Sequence, residues 1–184
     1  MATIEIIIGS MFSGKTTELM RRCRTYSAIG HQVLIVNNNN DTRCSNKIQS
    51  HNKESIDAIK IDKLMNLDIS ENINVIAIDE AQFFDDLYEF VQAFESKTFH
   101  IIIAGLDGDF KRQTFGHILK CIPLCDTVTK LNAMCSVCKN GNLASFSRRI
   151  TNNSDIVCIG ADEKYIPVCR KHFILSNDVH SSNM

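Results

Sequence analysis

Gly9-Ser10-Met11-Phe12-Ser13-Gly14-Lys15-Thr16 is a complete G-x-x-x-x-G-K-[ST] phosphate loop, and its surroundings decide the fold. The run Thr3-Ile4-Glu5-Ile6-Ile7-Ile8 before it is β-forming, and Thr17-Glu18-Leu19-Met20-Arg21-Arg22-Cys23-Arg24 after it favours a helix. Strand, loop and helix in that order aim loop amides and a helix N-terminus at one anion. The glycines let the backbone wrap phosphates, Lys15 reaches the β- and γ-phosphates, and the Thr16 hydroxyl ligates Mg²⁺. The stretch implies a bound nucleoside triphosphate.

Three further apolar runs, Gln32–Val36, Asn74–Ile78 and Phe99–Ala104, are short, rich in Ile and Val, and free of polar alternation. That is the pattern of strands buried on both faces. Helical stretches are expected at Lys15–Ile29 and Asp86–Ser96. Strands and helices in alternation predict an α/β domain with a parallel, helix-covered sheet, and ligands gather at the carboxyl ends of its strands. Residues 37–55, including the Asn37–Asn40 run, read as a long polar loop at the active site or an interface. Beyond about Leu131 the character changes to cysteine pairs and short strands, with no long helix expected. The expected organisation is a nucleotide-binding domain over 1–130, a smaller zinc-binding domain over 131–175 and a frayed polar tail over 176–184.

With 184 residues and 44% hydrophobic content, the chain can bury a substantial core. A net charge of −1 argues against a broad nucleic-acid footprint. The basic stretch Arg21–Arg24 reads as a solvated or interface face of the first helix. Neither a signal peptide nor a membrane-length apolar run is expected, and eight cysteines without a secretory signal point to thiols or metal in a reducing, cytoplasmic setting.

Two constellations carry chemistry. Asp79-Glu80 directly follows the Asn74–Ile78 strand, the Walker B arrangement, in which Asp79 holds Mg²⁺ and Glu80 is a candidate base facing an acceptor. Cys135-x-x-Cys138 and Cys169-x-x-His172 supply four ligands for one tetrahedral ion. A closed Cys₃His shell is structural zinc, clipping the base of the long loop 139–168. Within that loop Ile156–Gly160 is a β-forming stretch ending in glycine, and Tyr165 with Phe83, Phe110 and Phe115 can stack on a flat ring.

Together, residues 9–22, Asp41-Thr42-Arg43, Ile78–Phe84 and Leu106–Gly116 closely resemble the type II thymidine kinases, the zinc-containing form of the cytosol and of large DNA viruses. The resemblance runs from about residue 3 to 173 and implies a RecA-like P-loop core. It implies ATP as donor at residues 9–16, with Asp41, Thr42 and Arg43 and then Asp79, Glu80, Ala81 and Gln82 beside the phosphates. Glu80 takes the role of proton acceptor from the thymidine 5′-hydroxyl, working with Lys15 at the γ-phosphate. Phe110, Ile156, Val157, Cys158, Ile159, Gly160 and Tyr165 match positions enclosing the thymine, with Met11, Phe83 and Leu106 as apolar contacts. The family further implies a homotetramer inhibited by thymidine triphosphate; from the charge and the apolar runs, no nucleic-acid or membrane partner is expected.

The chain departs from the family pattern in several places. Ser10 stands where proline is usual, and is expected to contribute backbone rather than side chain. Ala81 replaces a usual glycine, Asp109 a common threonine, and His172 a more frequent cysteine. Two other classes compete: a RecA-like ATPase would share the phosphate loop and Asp79 but not a nucleoside pocket. A zinc-ribbon binding module would explain the cysteines but not Lys15, Thr16 or Asp79-Glu80.

Overall fold

The computed structural model describes residues 1–41, 46–50, 53–151 and 164–181, with 176–181 as backbone. In chain order it forms strand β1 (Thr3–Gly9), helix α1 (Lys15–Ala28), β2 (Gln32–Asn38), β3 (Lys47–Gln49), β4 (Ser55–Asp57), β5 (Ile59–Ile61) and β6 (Ile73–Ile78). There follow α2 (Leu87–Phe94), β7 (His100–Leu106), β8 (Thr127–Leu131), β9 (Ala133–Met134), β10 (Leu143–Ala144), β11 (Phe146–Arg149), β12 (Tyr165–Val168) and α3 (Arg170–Ser181). Six of the strands make one parallel sheet in the order β5-β2-β6-β7-β1-β8. The α/β class and all four expected core strands are present, with β7 between the phosphate-loop strand β1 and the acidic-ended β6.

The lack of polar alternation has a direct physical cause. Successive side chains of a strand point to opposite faces, and here both faces are covered. Ile4, Ile6 and Ile8 of β1 join Ile76, Ile78, Ile101 and Ile103 in a core under α2, capped by Phe84, Leu87 and Phe90. Ile7 joins Val75, Ala77, Ile102 and Ala104 on the other face, under Leu19, Met20 and Cys23 of α1. Gly9 of β1 lies level with Leu106 of β7 and Leu131 of β8, so these strands end together at the edge that carries the phosphate loop.

Three expectations need correction. Asn37 and Asn38 are not loop: they close β2, pair with Lys60 and Ile61 of β5 and are buried, with their side chains serving the side where β6 has ended. Asn37 bonds Asp41 at 2.8 Å and the Asn38 N–H at 2.8 Å, while the Asn38 oxygen accepts from the Asn40 N–H at 2.9 Å. The polar stretch 37–55 also contains β3, which pairs antiparallel with β4 and buries Ile48 completely against the α1-side core. Finally, the C-terminal region does hold a longer helix, α3, which begins at Arg170 and is seated by Phe173. Its first turn is too polar for an apolar period to reveal it. Strand β8 keeps the parallel sheet intact to Leu131. Beyond it the short pairs β9–β10 and β11–β12 pack with α3 around Ala133, Cys135, Ala144, Val168 and Phe173.

Candidate active site

The phosphate loop leaves β1 at Gly9, where any side chain is excluded: a Cβ would lie 2.2 Å from the Leu131 carbonyl oxygen. It enters α1 through Gly14, whose φ of 85° is left-handed and suits glycine. The N–H groups of the first helical turn then face the loop, as an anion requires. Lys15 folds over it, donating to the Ser10 carbonyl at 2.8 Å. The Ser13 hydroxyl is buried with no hydrogen-bond partner among the described residues. A buried hydroxyl in that position fits a phosphate oxygen as its acceptor.

Asp79 follows β6 and is 2% exposed. The Thr16 hydroxyl lies 3.2 and 3.1 Å from its two carboxylate oxygens, which fits a shared divalent cation: both groups are hard oxygen donors. Beneath them the Cys23 thiol is pushed up to about 12 by burial and then by the Asp79 charge, so it stays neutral. Glu80 adopts a left-handed backbone, φ 49° and ψ 42°, costly for a residue with a Cβ. The kink turns the chain out of the sheet into the turn Ala81–Phe83. Gln82, buried, donates to Glu80 Oε2 at 2.6 Å and accepts from the Leu106 N–H at 2.9 Å.

Among the expected nucleoside contacts, Phe110 and Tyr165 come together through a residue the sequence did not suggest. The Arg149 guanidinium lies 3.8 Å from the Phe110 ring centre and 4.9 Å from that of Tyr165, and it hydrogen-bonds the Tyr165 hydroxyl. Antiparallel pairing of β11 with β12 sets Arg149 opposite Tyr165. Phe83 stands edge-on to Phe115 at 5.6 Å, and its carbonyl accepts from Asn38 at 3.3 Å. Leu106 ends β7. Asp41 is buried beside Asn37. Thr42 and Arg43, and the stretch Ile156, Val157, Cys158, Ile159 and Gly160, lie outside the described residues. A cavity of about 270 Å³ opens between Ser10, Asp107, Arg112, Lys130 and Ser147. Among the described residues expected around the thymine, Phe83, Leu106, Phe110 and Tyr165 do not line it.

The sequence also did not suggest the seat of the phosphate loop. Contrary to expectation, the Ser10 side chain takes part: its buried hydroxyl donates to the Ala144 carbonyl at 2.9 Å. The Met11 N–H donates to the Ser147 hydroxyl at 2.9 Å. Such partners, more than 130 residues apart, leave no local signal.

Cys135, Cys138, Cys169 and His172 meet as expected, with their ligand atoms within 4.8 Å of one another. Cys138 and Cys169 sulfurs are 3.6 Å apart, and His172 Nδ1 lies 3.7, 3.2 and 3.4 Å from Cys135, Cys138 and Cys169. Tetrahedral zinc with sulfur at about 2.3 Å sets its ligands about 3.7 Å apart, so the donor set fits zinc. Burial opposes the Cys135 thiolate, but N–H groups of Cys138, Cys169 and Val137 and the His172 ring bring its pKa down to about 6. The other described cysteines, Cys23, Cys121 and Cys125, stand apart from this cluster.

Comparison with known proteins agrees with this geometry. A family model described as thymidine kinase matches residues 2–173. The chain belongs to the thymidine kinase family. Thymidine kinases of Rabbit fibroma virus (strain Kasza) and Myxoma virus (strain Uriarra) are 43% and 41% identical to it over 170 and 169 residues, covering 91% of this chain and 94% of each relative. That of Vaccinia virus (strain Western Reserve) is 41% identical over 174 residues, covering 93% of this chain and 96% of the relative. Among the described residues of this thymidine kinase family member, no helix is long and apolar enough to cross a membrane.

Proposed function

We propose that this member of the thymidine kinase family transfers the γ-phosphate of ATP to the 5′-hydroxyl of thymidine, giving thymidine monophosphate and ADP. The observation that carries the reading is the convergence of Thr16 on Asp79, next to Glu80, in a chain matched along residues 2–173. Phosphoryl transfer asks little covalent chemistry of a protein and much positioning. The amides of Gly9–Thr16 hold the donor phosphates, and Lys15 exchanges the Ser10 carbonyl for a γ-phosphate oxygen. Thr16 and Asp79 hold Mg²⁺, which neutralises charge on the transferring group when bound. Glu80, oriented by Gln82, takes the proton from the 5′-hydroxyl, and the oxygen so exposed attacks phosphorus.

Phe110 and Tyr165 enclose the thymine, with Met11, Phe83 and Leu106 at its edges and 156–160 as the closing segment. Cys135, Cys138, Cys169 and His172 hold a structural zinc. The family resemblance supports thymidine triphosphate as feedback inhibitor and a homotetrameric assembly, and the cysteine usage supports a cytoplasmic location. The near-neutral net charge supports a small-molecule acceptor over nucleic acid.

The test is ADP formation over a panel of nucleosides, with and without thymidine triphosphate. Turnover is expected with thymidine and deoxyuridine, with cytidine disfavoured and the triphosphate inhibitory. ATP hydrolysis indifferent to nucleoside would replace the kinase reading with that of a RecA-like ATPase.

A further inference from the structure

The phosphate loop of this chain has two mechanical neighbours. One is the sheet, through β1 and α1. The other is the metal-binding module, and the contact is specific. Ser10, 2% exposed, bonds the Ala144 carbonyl at 2.9 Å; Ala144 is fully buried in the small core that contains Cys135. Met11 bonds the Ser147 hydroxyl at 2.9 Å, and Ser147 is 6% exposed on β11. Phe12, between the loop's two ends, packs onto the same core as Cys138 and Cys169. Three consecutive residues of a phosphate loop are therefore seated on the module that the Cys₃His cluster ties together.

The module is small, and its buried core of Ala133, Cys135, Ala144, Val168 and Phe173 includes a metal ligand. Its two sheets have two strands each, and β9 and β10 are only two residues long. Two-stranded pairs are marginal without a core, and Cys135 and Cys169 belong to the core that seats these, so a bound metal adds to the order of Ala144 and Ser147. Whatever orders them also orders the backbone of Ser10 and Met11.

We propose that the metal-binding module positions the ATP-binding loop, with Ser10 and Ser147 as the positioning residues that couple zinc occupancy to donor-nucleotide affinity. The proposal deepens the kinase reading and rests on it for the identity of the nucleotide. Coupling is reciprocal: if zinc tightens nucleotide binding, nucleotide must tighten zinc binding by the same factor. A merely structural zinc would stabilise the fold without a specific effect of nucleotide on metal affinity.

The experiment uses the full-length zinc-loaded protein without thymidine. Zinc affinity is measured at equilibrium by competition with a dye that takes zinc and not magnesium, with and without saturating ADP and Mg²⁺, and ADP affinity is measured by calorimetry. ADP is expected to tighten zinc binding about five-fold, the scale of one or two buried hydrogen bonds. Ser10→Ala and Ser147→Ala are expected to weaken ADP binding by a similar factor and abolish its effect on zinc affinity, while Ser147→Thr, which keeps the hydroxyl, restores both. Equal zinc affinities with and without bound ADP in the unaltered protein would overturn the proposal, whether or not any variant folds. Thymidine phosphorylation is assayed on the same preparation, so the two failures separate. Thymidine turnover without coupling sinks the proposal alone. Coupling without thymidine turnover supports it and sinks the kinase reading.

Discussion

Gln82 reaches Glu80 at 2.6 Å with its amide nitrogen and the Leu106 N–H at 2.9 Å with its amide oxygen. One buried side chain thus joins the end of β6 to the end of β7 and holds the candidate base between them. Glu80→Gln is expected to lower kcat by about 10²–10⁴-fold while ADP and thymidine affinities stay near their original values. Gln82→Ala keeps the base but not its orientation, so kcat is expected to fall about ten-fold with KM for thymidine little changed. Steady-state kinetics on both variants decides, and undiminished turnover in Glu80→Gln would remove that residue from the chemistry.

The contact of Thr16 with both oxygens of Asp79 makes a separate prediction about metal dependence. Asp79→Asn is nearly isosteric in its buried site but removes the charge. ADP affinity is expected to become insensitive to Mg²⁺, whereas in the unaltered protein Mg²⁺ should tighten it several-fold. Calorimetric titration of ADP with and without Mg²⁺ measures this, and a retained Mg²⁺ effect would place the ion elsewhere.

What the sequence made legible follows the range of the interactions involved. The parallel strands were readable because a strand covered on both faces needs an apolar residue at every position, as in Ile6-Ile7-Ile8. The phosphate loop, Asp79-Glu80 and the two ligand pairs were readable because their chemistry is local in the chain. Asn37 and Asn38 misled because side-chain hydrogen bonds let polar residues end a buried strand. The links Ser10–Ala144, Met11–Ser147 and Arg149–Phe110 were hidden because each depends on how the two parts of the chain dock. No periodicity encodes that.

Histidine in the metal cluster offers a test of ligand against fold. His172→Cys keeps four donors with a sulfur where Nδ1 stands, and is expected to retain one zinc per chain and nearly unchanged thermal stability. Cys169→Ala leaves three donors and is expected to lose tight zinc and lower the unfolding temperature by several degrees. Metal analysis after gel filtration, beside thermal unfolding, separates the two. Equal zinc content and stability in both would mean that Cys169 is not a ligand.

On α1, Glu18 bridges Arg21 and Arg22 at 2.7 and 2.8 Å, and Arg22 continues to Glu5 and to Thr129. The Arg21 hydrogen bond foremost, opposed by burial and reinforced by Arg22, holds the Glu18 carboxyl down to about 2 from an ordinary 4.5. A depressed carboxylate stabilises the fold fully above its unfolded value, and the contribution is lost as pH falls from about 4.5 towards about 2. The pair with Arg21 is exposed and screened, so the expected contribution is about 1 kcal/mol, well below what the full shift would imply. Zinc release also destabilises at acid pH, so the comparison must be with Glu18→Gln, which loses only the carboxylate. Denaturant unfolding at pH 7 should find the variant less stable by that amount, and the gap should close as pH approaches 2. A gap that stays constant with pH would show that Glu18 acts through packing rather than charge.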